Sequence, residues 1–367
     1  MKNEKVKEPL IHIVKRDSIS TVKSWLIRLG SIAASLVFCA IVTIILTGKN
    51  PIDIFSILVE GAIGTERRIW GLLQSVAMLL CVSLAVTPAF KMKFWNIGAE
   101  GQVLIGGLAT TACMILLGNK IPNYLLIILI FVTSMIAGAI WAFIPAFFKA
   151  IWNTNETLFT LMLNYIAIQL VSYFASAWAV PKGSGAIGIM NADTKAGWLP
   201  DIFEQKYLIN ILIVAALTVF VYVYLRYSKH GYEISVVGES ENTAKYIGIN
   251  VKKVIIRTML LSGALCGIAG VLLVSGTDHT LTKETAAGRG FTAIIVSWLA
   301  KFNPIYMVLT SLLICFLQKG AGEIASKSNG LDKSFSDIIT GIIIFFIIGS
   351  EFFVNYRIKF NKKEEKA

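Results

Sequence analysis

Between residues 30 and 356 the chain is divided into ten apolar runs without a single charged side chain. They cover residues 30–47, 69–90, 101–118, 121–148, 157–180, 207–225, 258–277, 291–300, 302–318 and 338–350. A helix needs about 20 apolar residues to cross the hydrocarbon core of a bilayer. Eight of the runs meet or approach that length; 291–300 and 338–350 are shorter. A transmembrane barrel would instead show alternation over segments of about 10 residues, and lipid leaves helices as the remaining way to satisfy the backbone. Composition agrees: 56% of residues are hydrophobic and 15% charged, against about 45–50% and 25% in soluble domains. A water-soluble enzyme and a disordered chain are both excluded. The first run is followed by more spans and has no small-residue cleavage site before them, so it reads as a retained helix. The expected fold is an all-α polytopic membrane protein of about ten transmembrane helices.

Orientation follows from the lysines and arginines between runs. If all ten runs cross and the N-terminus is cytoplasmic, the inner segments hold 22 of these residues and the outer ones 12. Both termini are therefore expected in the cytoplasm, and the net charge of +12 needs no nucleic-acid partner. The expected organisation is a charged tail (1–29), a membrane domain (30–356) and a second charged tail (357–367) with a frayed end at 362–367. The hydrophilic break at 181–206 divides the membrane domain into five runs and five, about 30–180 and 207–356. An odd number per half makes the halves, if related, inverted copies.

Four stretches concentrate polar and glycine residues. In 91–102, KMKFWNIGAEGQ, Gly98 and Gly101 accompany Asn96, Glu100 and Gln102. Glycine weakens a helix and lets it open. The stretch reads either as a broken helix whose polar groups line a substrate route, or as a cytoplasmic turn with Glu100 solvated or paired to Lys91 or Lys93. Thr157, Thr160 and Asn164 share one face of the next helix; they line the same route or hydrogen-bond a neighbouring helix. The inner loop 226–257 is the longest, with a short helix expected over 240–246 between Gly238 and Gly248. Such a loop either serves a partner or is merely solvated. The fourth stretch, 288–304, contains a run too short to cross straight and ends in Lys301 and Pro304. It reads as a half-helix facing a cavity, the counterpart of 91–102, or as a tilted ordinary helix. In addition, Gly263 and Gly267 form a GxxxG pair suited to close packing inside the chain.

Other classes find little support. Cys39, Cys81, Cys113, Cys266 and Cys315 all lie in apolar runs without CxxC spacing and read as small apolar side chains. The three histidines, His12, His230 and His279, are dispersed, and no HExxH, GxSxG or Walker A pattern occurs. No catalytic residue, metal ligand or cofactor of this chain's own is therefore expected. An ion-coupled secondary transporter would want embedded carboxylates, and only Glu100, Glu156 and Glu351 qualify.

Five segments carry a resemblance: FWNIGAEGQVLIGG (94–107), NETLFTLMLNY (155–165), VVGESENTAKYIGINVKKV (236–254), MLLSGALCGIAG (259–270) and GRGFTAIIVSWLAKFNP (288–304). In this order they resemble the permease subunits of nucleoside ABC importers, within the wider branched-chain amino acid and ribose permease family. The resemblance implies a type II importer-like fold and several partners. These are a second permease subunit, expected to be a paralogue, a cytoplasmic ATP-binding subunit that holds ATP and Mg, and an extracytoplasmic substrate-binding lipoprotein. It further implies that 238–250 forms a coupling helix, with Gly238, Glu239, Asn242, Tyr246 and Gly248 facing the ATPase. It also implies that NIGAEGQ (96–102) lies near the translocation path; together with the polar face of 157–164, the candidate path residues are Asn96, Glu100, Gln102, Thr160 and Asn164. Trp298 and Lys301 are bulkier than the family pattern leads one to expect. A ribose-type sugar or a branched-chain amino acid is the alternative cargo. Phe94, Trp95 and Trp298 are available either to stack on a base or to anchor at the membrane interface.

Overall fold

The computed structural model describes residues 11–16, 19–47, 50–184, 186–203, 205–327 and 333–360. Residues 1–10 and 361–367, the ends of both charged tails, lie outside the described residues. Among the described residues the chain is helical nearly throughout, with one two-stranded ribbon, and it divides into two compact units.

The larger unit, residues 66–315, holds α3 (Glu66–Lys91), α4 (Ala99–Leu117), α5 (Asn123–Trp152), α6 (Glu156–Ala177), α7 (Leu208–Tyr227), α8 (Lys229–Glu239), α9 (Glu241–Tyr246), α10 (Val251–Leu273) and α11 (Arg289–Leu299), with the start of α12 (Pro304–Lys327). Asparagine and serine caps fix several helix starts by accepting an otherwise unpartnered N–H. Asn155 accepts from Leu158, Ser240 from Thr243 and Asn250 from Lys253. The apolar interior centres on α10, which packs on α3, α4 and α5. Glycine makes this contact close. A methyl group at Gly263 would overlap the Gly138 carbonyl of α5, and one at Gly267 would overlap the Ser134 carbonyl. The GxxxG pair thus serves packing within the chain, as its spacing suggested.

The smaller unit contains β1 (Ile11–Lys15), α1 (Thr21–Thr47), α2 (Pro51–Ile63), the second half of α12, α13 (Lys333–Asn355) and β2 (Tyr356–Phe360). Here the structure departs from the sequence reading. The first helix begins at Thr21, inside the stretch read as a tail. Residues 11–15 and 356–360 pair as antiparallel strands, with Ile13 opposite Ile358. YRIKF keeps the alternation of a strand, whereas IHIVK breaks it at Ile13 and Val14, and each is so short that only a partner more than 300 residues away makes it a strand. The ribbon brings the start of α1 and the end of α13 to one end of this unit. Arg28 Nε donates to Glu351 at 2.9 Å between these helices, and Lys327 reaches Glu60 at 2.9 Å.

Among the described residues, nine helices are long and apolar enough to cross a membrane. The run at 338–350, short by sequence, belongs to one of them, because α13 continues past the charged Glu351. α11, with 11 residues, does not. α2, with 13 residues, was not anticipated; Asn50 caps it and Pro51 opens it.

Candidate functional site

After α3 the chain makes a tight turn before α4 starts. Pro88 lies one turn before the end of α3, and Lys93 adopts a left-handed conformation with φ of 61°. Asn96 then organises the turn. Its Oδ1 accepts from the backbone N–H of Gly98 at 3.1 Å and from Gln102 Nε2 at 3.1 Å. Its Nδ2 donates to Ser262 Oγ of α10 at 3.2 Å and to Gln102 Oε1 at 3.3 Å. Asn96 and Gln102 are both fully buried.

From the other side α6 closes on the same turn. Asn164 Oδ1 accepts from the Gly101 N–H at 2.8 Å, and its Nδ2 donates to the Ile97 carbonyl at 2.8 Å. Thr160 Oγ1 accepts from the Ile97 N–H at 3.3 Å and donates to the Glu156 carbonyl at 2.7 Å. This close approach requires glycine at position 101, since a Cβ there would lie 2.8 Å from Asn164 Oδ1.

Glu100 faces α11. Its carboxylate, in a residue 6% exposed, accepts from the Gly288 N–H through Oε1 and from the Gly290 N–H through Oε2, both at 2.7 Å. Gly288, at φ of +72°, provides no side-chain cap for α11. A carboxylate from another helix supplies it instead, in the place where the helix dipole favours negative charge. Of the two sequence readings of 91–102, the cytoplasmic turn with Glu100 solvated or paired to Lys91 or Lys93 does not describe this contact, since Glu100 is buried and bonded to backbone at the start of α11.

The five residues assigned by sequence to a path therefore come together in one buried cluster, with their polar groups bonded to each other and to backbone. The two interrupted stretches, 91–102 and 288–304, meet at Glu100. Between α10 and α11 the backbone runs alongside α4. Leu281 packs where a methyl on Gly107 would sit, and Gly288 meets Glu100 about two turns away along α4, or ~10 Å. α11 then continues to Ser297, whose hydroxyl donates to the Ser83 carbonyl at 3.1 Å, and to Trp298, whose ring lies 5.5 Å from that of Trp95. Phe94 is buried, while Trp95 and Trp298 are each about half exposed.

The residues expected to couple to an ATPase occupy a separate surface, where the loop expected at 226–257 is largely helical. α8, not foreseen from sequence, runs up to Ser240, and α9 follows at the expected place. Gly238 is buried, and a Cβ there would strike the Lys91 carbonyl, so α8 rests on the turn that leads to Asn96. Glu239, Asn242, Tyr246 and Gly248 are exposed; Tyr246 is 92% exposed. Glu233 of α8 pairs with Arg257 of α10 at 2.8 Å. That hydrogen bond is the main reason its carboxyl lies below the usual range, with the charges of Arg257, Lys229 and His230 acting in the same direction.

A further polar cluster, at the opposite end of α10, was missed. After Leu273 the helix widens into a π turn, Val274–Asp278. Thr277 Oγ1 accepts from Gln74 Nε2 of α3 and, at 3.2 Å, from Asn210 Nδ2 of α7. Gln74 Oε1 and Asn210 Oδ1 are buried and find no donor. Next to the turn, His279 stacks on Trp198 at 3.6 Å. Lone Gln and Asn residues inside apolar runs were the available signal. Among the described residues, no group of three or more His, Cys, Asp or Glu side chains is placed to hold a metal.

Comparison with known proteins agrees with this architecture. The family model described as "Branched-chain amino acid transport system / permease component" matches residues 68–348. The chain is 28% identical over 355 residues to the glucose ABC transporter permease protein TsgB13 of Haloferax volcanii, covering 93% of this chain and 92% of the relative. To the guanosine ABC transporter permease protein NupP of Bacillus subtilis it is 29% identical over 341 residues, 92% and 95% of the two chains. To the nucleoside ABC transporter permease protein NupB of Lactococcus lactis it is 30% identical over 310 residues, 82% and 84% of the two chains.

Proposed function

Because this chain belongs to the branched-chain amino acid transport system permease family, we propose that it is the transmembrane permease subunit of an ATP-driven importer that carries nucleosides inward across the cell membrane. The observation that carries the cargo is the similarity to two nucleoside permeases over most of their length. Similarity to a glucose permease, over an equally long stretch, keeps a sugar as the second reading. The proposed assembly adds a second permease subunit, a cytoplasmic ATPase that holds ATP and Mg, and an extracytoplasmic binding lipoprotein.

The topology is consistent with this role. The terminal ribbon places the start of α1 and the end of α13 together, which requires an even number of crossings. Nine long helices plus one composite passage, made of the irregular stretch 279–288 and α11, supply ten. Non-helical backbone at membrane depth is tolerated where protein or a water-filled cavity surrounds it. By the lysine and arginine count, the end that carries α8 and α9 faces the cytoplasm.

In the mechanism we propose, the ATPase grips α9 through Glu239, Asn242 and Tyr246, with Gly248 allowing the chain to turn back. Closure of the ATPase on ATP moves α8, and Gly238 transmits the motion to the 91–102 turn. Asn96, Gln102, Thr160 and Asn164 hold that turn as one body beside the path, and Glu100 ties it to the half-helix α11. ATP can drive such a cycle only if its binding favours one state of the permease over the other. An ion-coupled transporter fits less well: Glu100 is bonded to α11, Glu156 pairs with Lys149 at 2.9 Å, and Glu351 pairs with Arg28.

Uptake of labelled guanosine and uridine in cells with and without this chain tests the reading. Uptake should require the chain and be competed by excess nucleosides but not by glucose, ribose or leucine. Competition by glucose or ribose alone would establish the second reading, and uptake that ignores ATP depletion would remove the ATPase.

A further inference from the structure

A cavity of 370 Å3 opens behind the coupling helices, where α8 and α10 begin. Small-molecule sites span about 300–1,000 Å3. The first turn of α8 contributes Lys229, His230 and Glu233, and the start of α10 contributes Asn250, Lys253 and Arg257. The lining is cationic: two lysines and an arginine face a single carboxylate. That carboxylate, Glu233, is bonded to Arg257 at 2.8 Å. Among the described residues, Lys229 and Lys253 form no ion pair within 4 Å, and the buried Nε–H of Arg257 finds no acceptor. Two helix N-termini add to the field. Ser228 caps only the Gly231 N–H of α8, and Asn250 caps only the Lys253 N–H of α10. The Tyr232 N–H bonds the Ser228 carbonyl and the Val254 N–H bonds the Asn250 carbonyl, which leaves the N–H groups of Lys229 and His230 in α8, and of Val251 and Lys252 in α10, for an anion.

The position of the cavity identifies the anion. α7 ends at Tyr227 and α10 starts at Val251, so the cavity lies level with the ends of two membrane helices. Arg226 sits 5.7 Å from the ring of Tyr222 and 5.9 Å from that of Tyr227. Tyrosine and arginine at the end of a span mark the headgroup layer. Beside the cavity, half-exposed Ile247 offers an apolar edge. Basic pockets between transmembrane helices at this depth suit anionic lipid headgroups. We propose that this cavity binds the phosphate headgroup of an anionic phospholipid, which braces α8 against α10 behind the coupling helix. The proposal rests on the membrane placement of α7 and α10 and is independent of cargo.

The test uses the full-length chain purified in detergent, with binding read by native mass spectrometry and by thermal unfolding. The probes are dioctanoyl phosphatidylglycerol, dioctanoyl phosphatidylcholine and inorganic phosphate. Phosphatidylglycerol should be retained at one molecule per chain and raise the unfolding temperature, whereas phosphatidylcholine should do neither. The double variant K229Q/K253Q, altered only at exposed side chains, should unfold like the wild type without lipid and bind phosphatidylglycerol about tenfold or more weakly. K252Q, exposed on the same helix turn but outside the lining, should bind like the wild type. Equal binding of the two lipids would overturn the proposal, as would unchanged affinity in K229Q/K253Q or an equal loss in K252Q. Inorganic phosphate that reproduces the shift and blocks phosphatidylglycerol would assign the cavity to a free anion instead.

Discussion

The turn at 94–102 and the π turn at the far end of α10 are both polar clusters inside apolar helices, and they are satisfied in opposite ways. In the turn, every amide and carboxylate oxygen described above has a partner: Asn96 with Gln102, Asn164 with Gly101, Glu100 with Gly288 and Gly290. At the π turn, Gln74 and Asn210 both direct N–H groups at Thr277, and each leaves a carbonyl oxygen buried without a donor. Removing one partner of a satisfied pair exposes the full desolvation cost of the other, whereas removing an already unpartnered group costs little. The first cluster is therefore built for rigidity. The second keeps two acceptors available for a donor from outside the protein, such as a water molecule.

The largest effect that would break this contrast is expected at Glu100. Glu100→Ala leaves two N–H groups of α11 unpartnered and removes two charge-assisted bonds, about 3 kcal/mol together. Thermal unfolding in detergent should show the drop, and uptake should fall with it; a stability within error of the wild type would mean that α11 is held by something else. Next comes Asn164→Ala, which unpairs the Gly101 N–H and the Ile97 carbonyl and should cost about 2 kcal/mol. The same melts check it, and uptake should decline because the turn loses its anchor on α6. At the other cluster, Gln74→Met removes an orphan oxygen and the one bond to Thr277 Oγ1, which keeps Asn210 Nδ2 as a donor, so the expected change is about 1 kcal/mol. A loss as large as that of Asn164→Ala would show that Gln74 is satisfied after all and would erase the difference between the two clusters. The smallest stability effect belongs to Tyr246→Ala, since that ring is almost wholly solvent-exposed. Its melt should match the wild type while the assembled importer hydrolyses ATP with reduced uptake; normal uptake at normal ATPase rates would remove α9 from the coupling.

Much of the fold could be read in advance because lipid imposes long apolar runs, and charge between them is expensive to bury. Runs at 69–90 and 121–148 became α3 and α5 with ends shifted by four residues or fewer, and 258–277 became α10, which starts seven residues earlier, and the π turn after it. The short helix expected over 240–246 appeared as α9 between Gly238 and Gly248, with Ser240 serving as its cap. The helix α8 was hidden because KHGYEISVVGE mixes charges and glycines, and its helicity depends on packing Gly238 against Lys91. The strands of the terminal ribbon were hidden for a related reason: five residues carry too weak a pattern until the other strand is alongside.

The candidate site divides along the same line. Residue type and spacing singled out Asn96, Glu100, Gln102, Thr160 and Asn164, since polar groups in an apolar run need partners wherever they end up. They did not say which partners. That Glu100 caps α11 from 188 residues away, or that Asn96 reaches Ser262 on α10, depends on which helices are neighbours. Hydrophobicity and charge act locally along the chain, and so the amino-acid order alone determined a membrane protein, its spans and its polar interruptions. Hydrogen bonds between distant segments form only after helices pack, and so tertiary structure alone decided which interruptions are closed into a rigid frame and which keep an unmet acceptor.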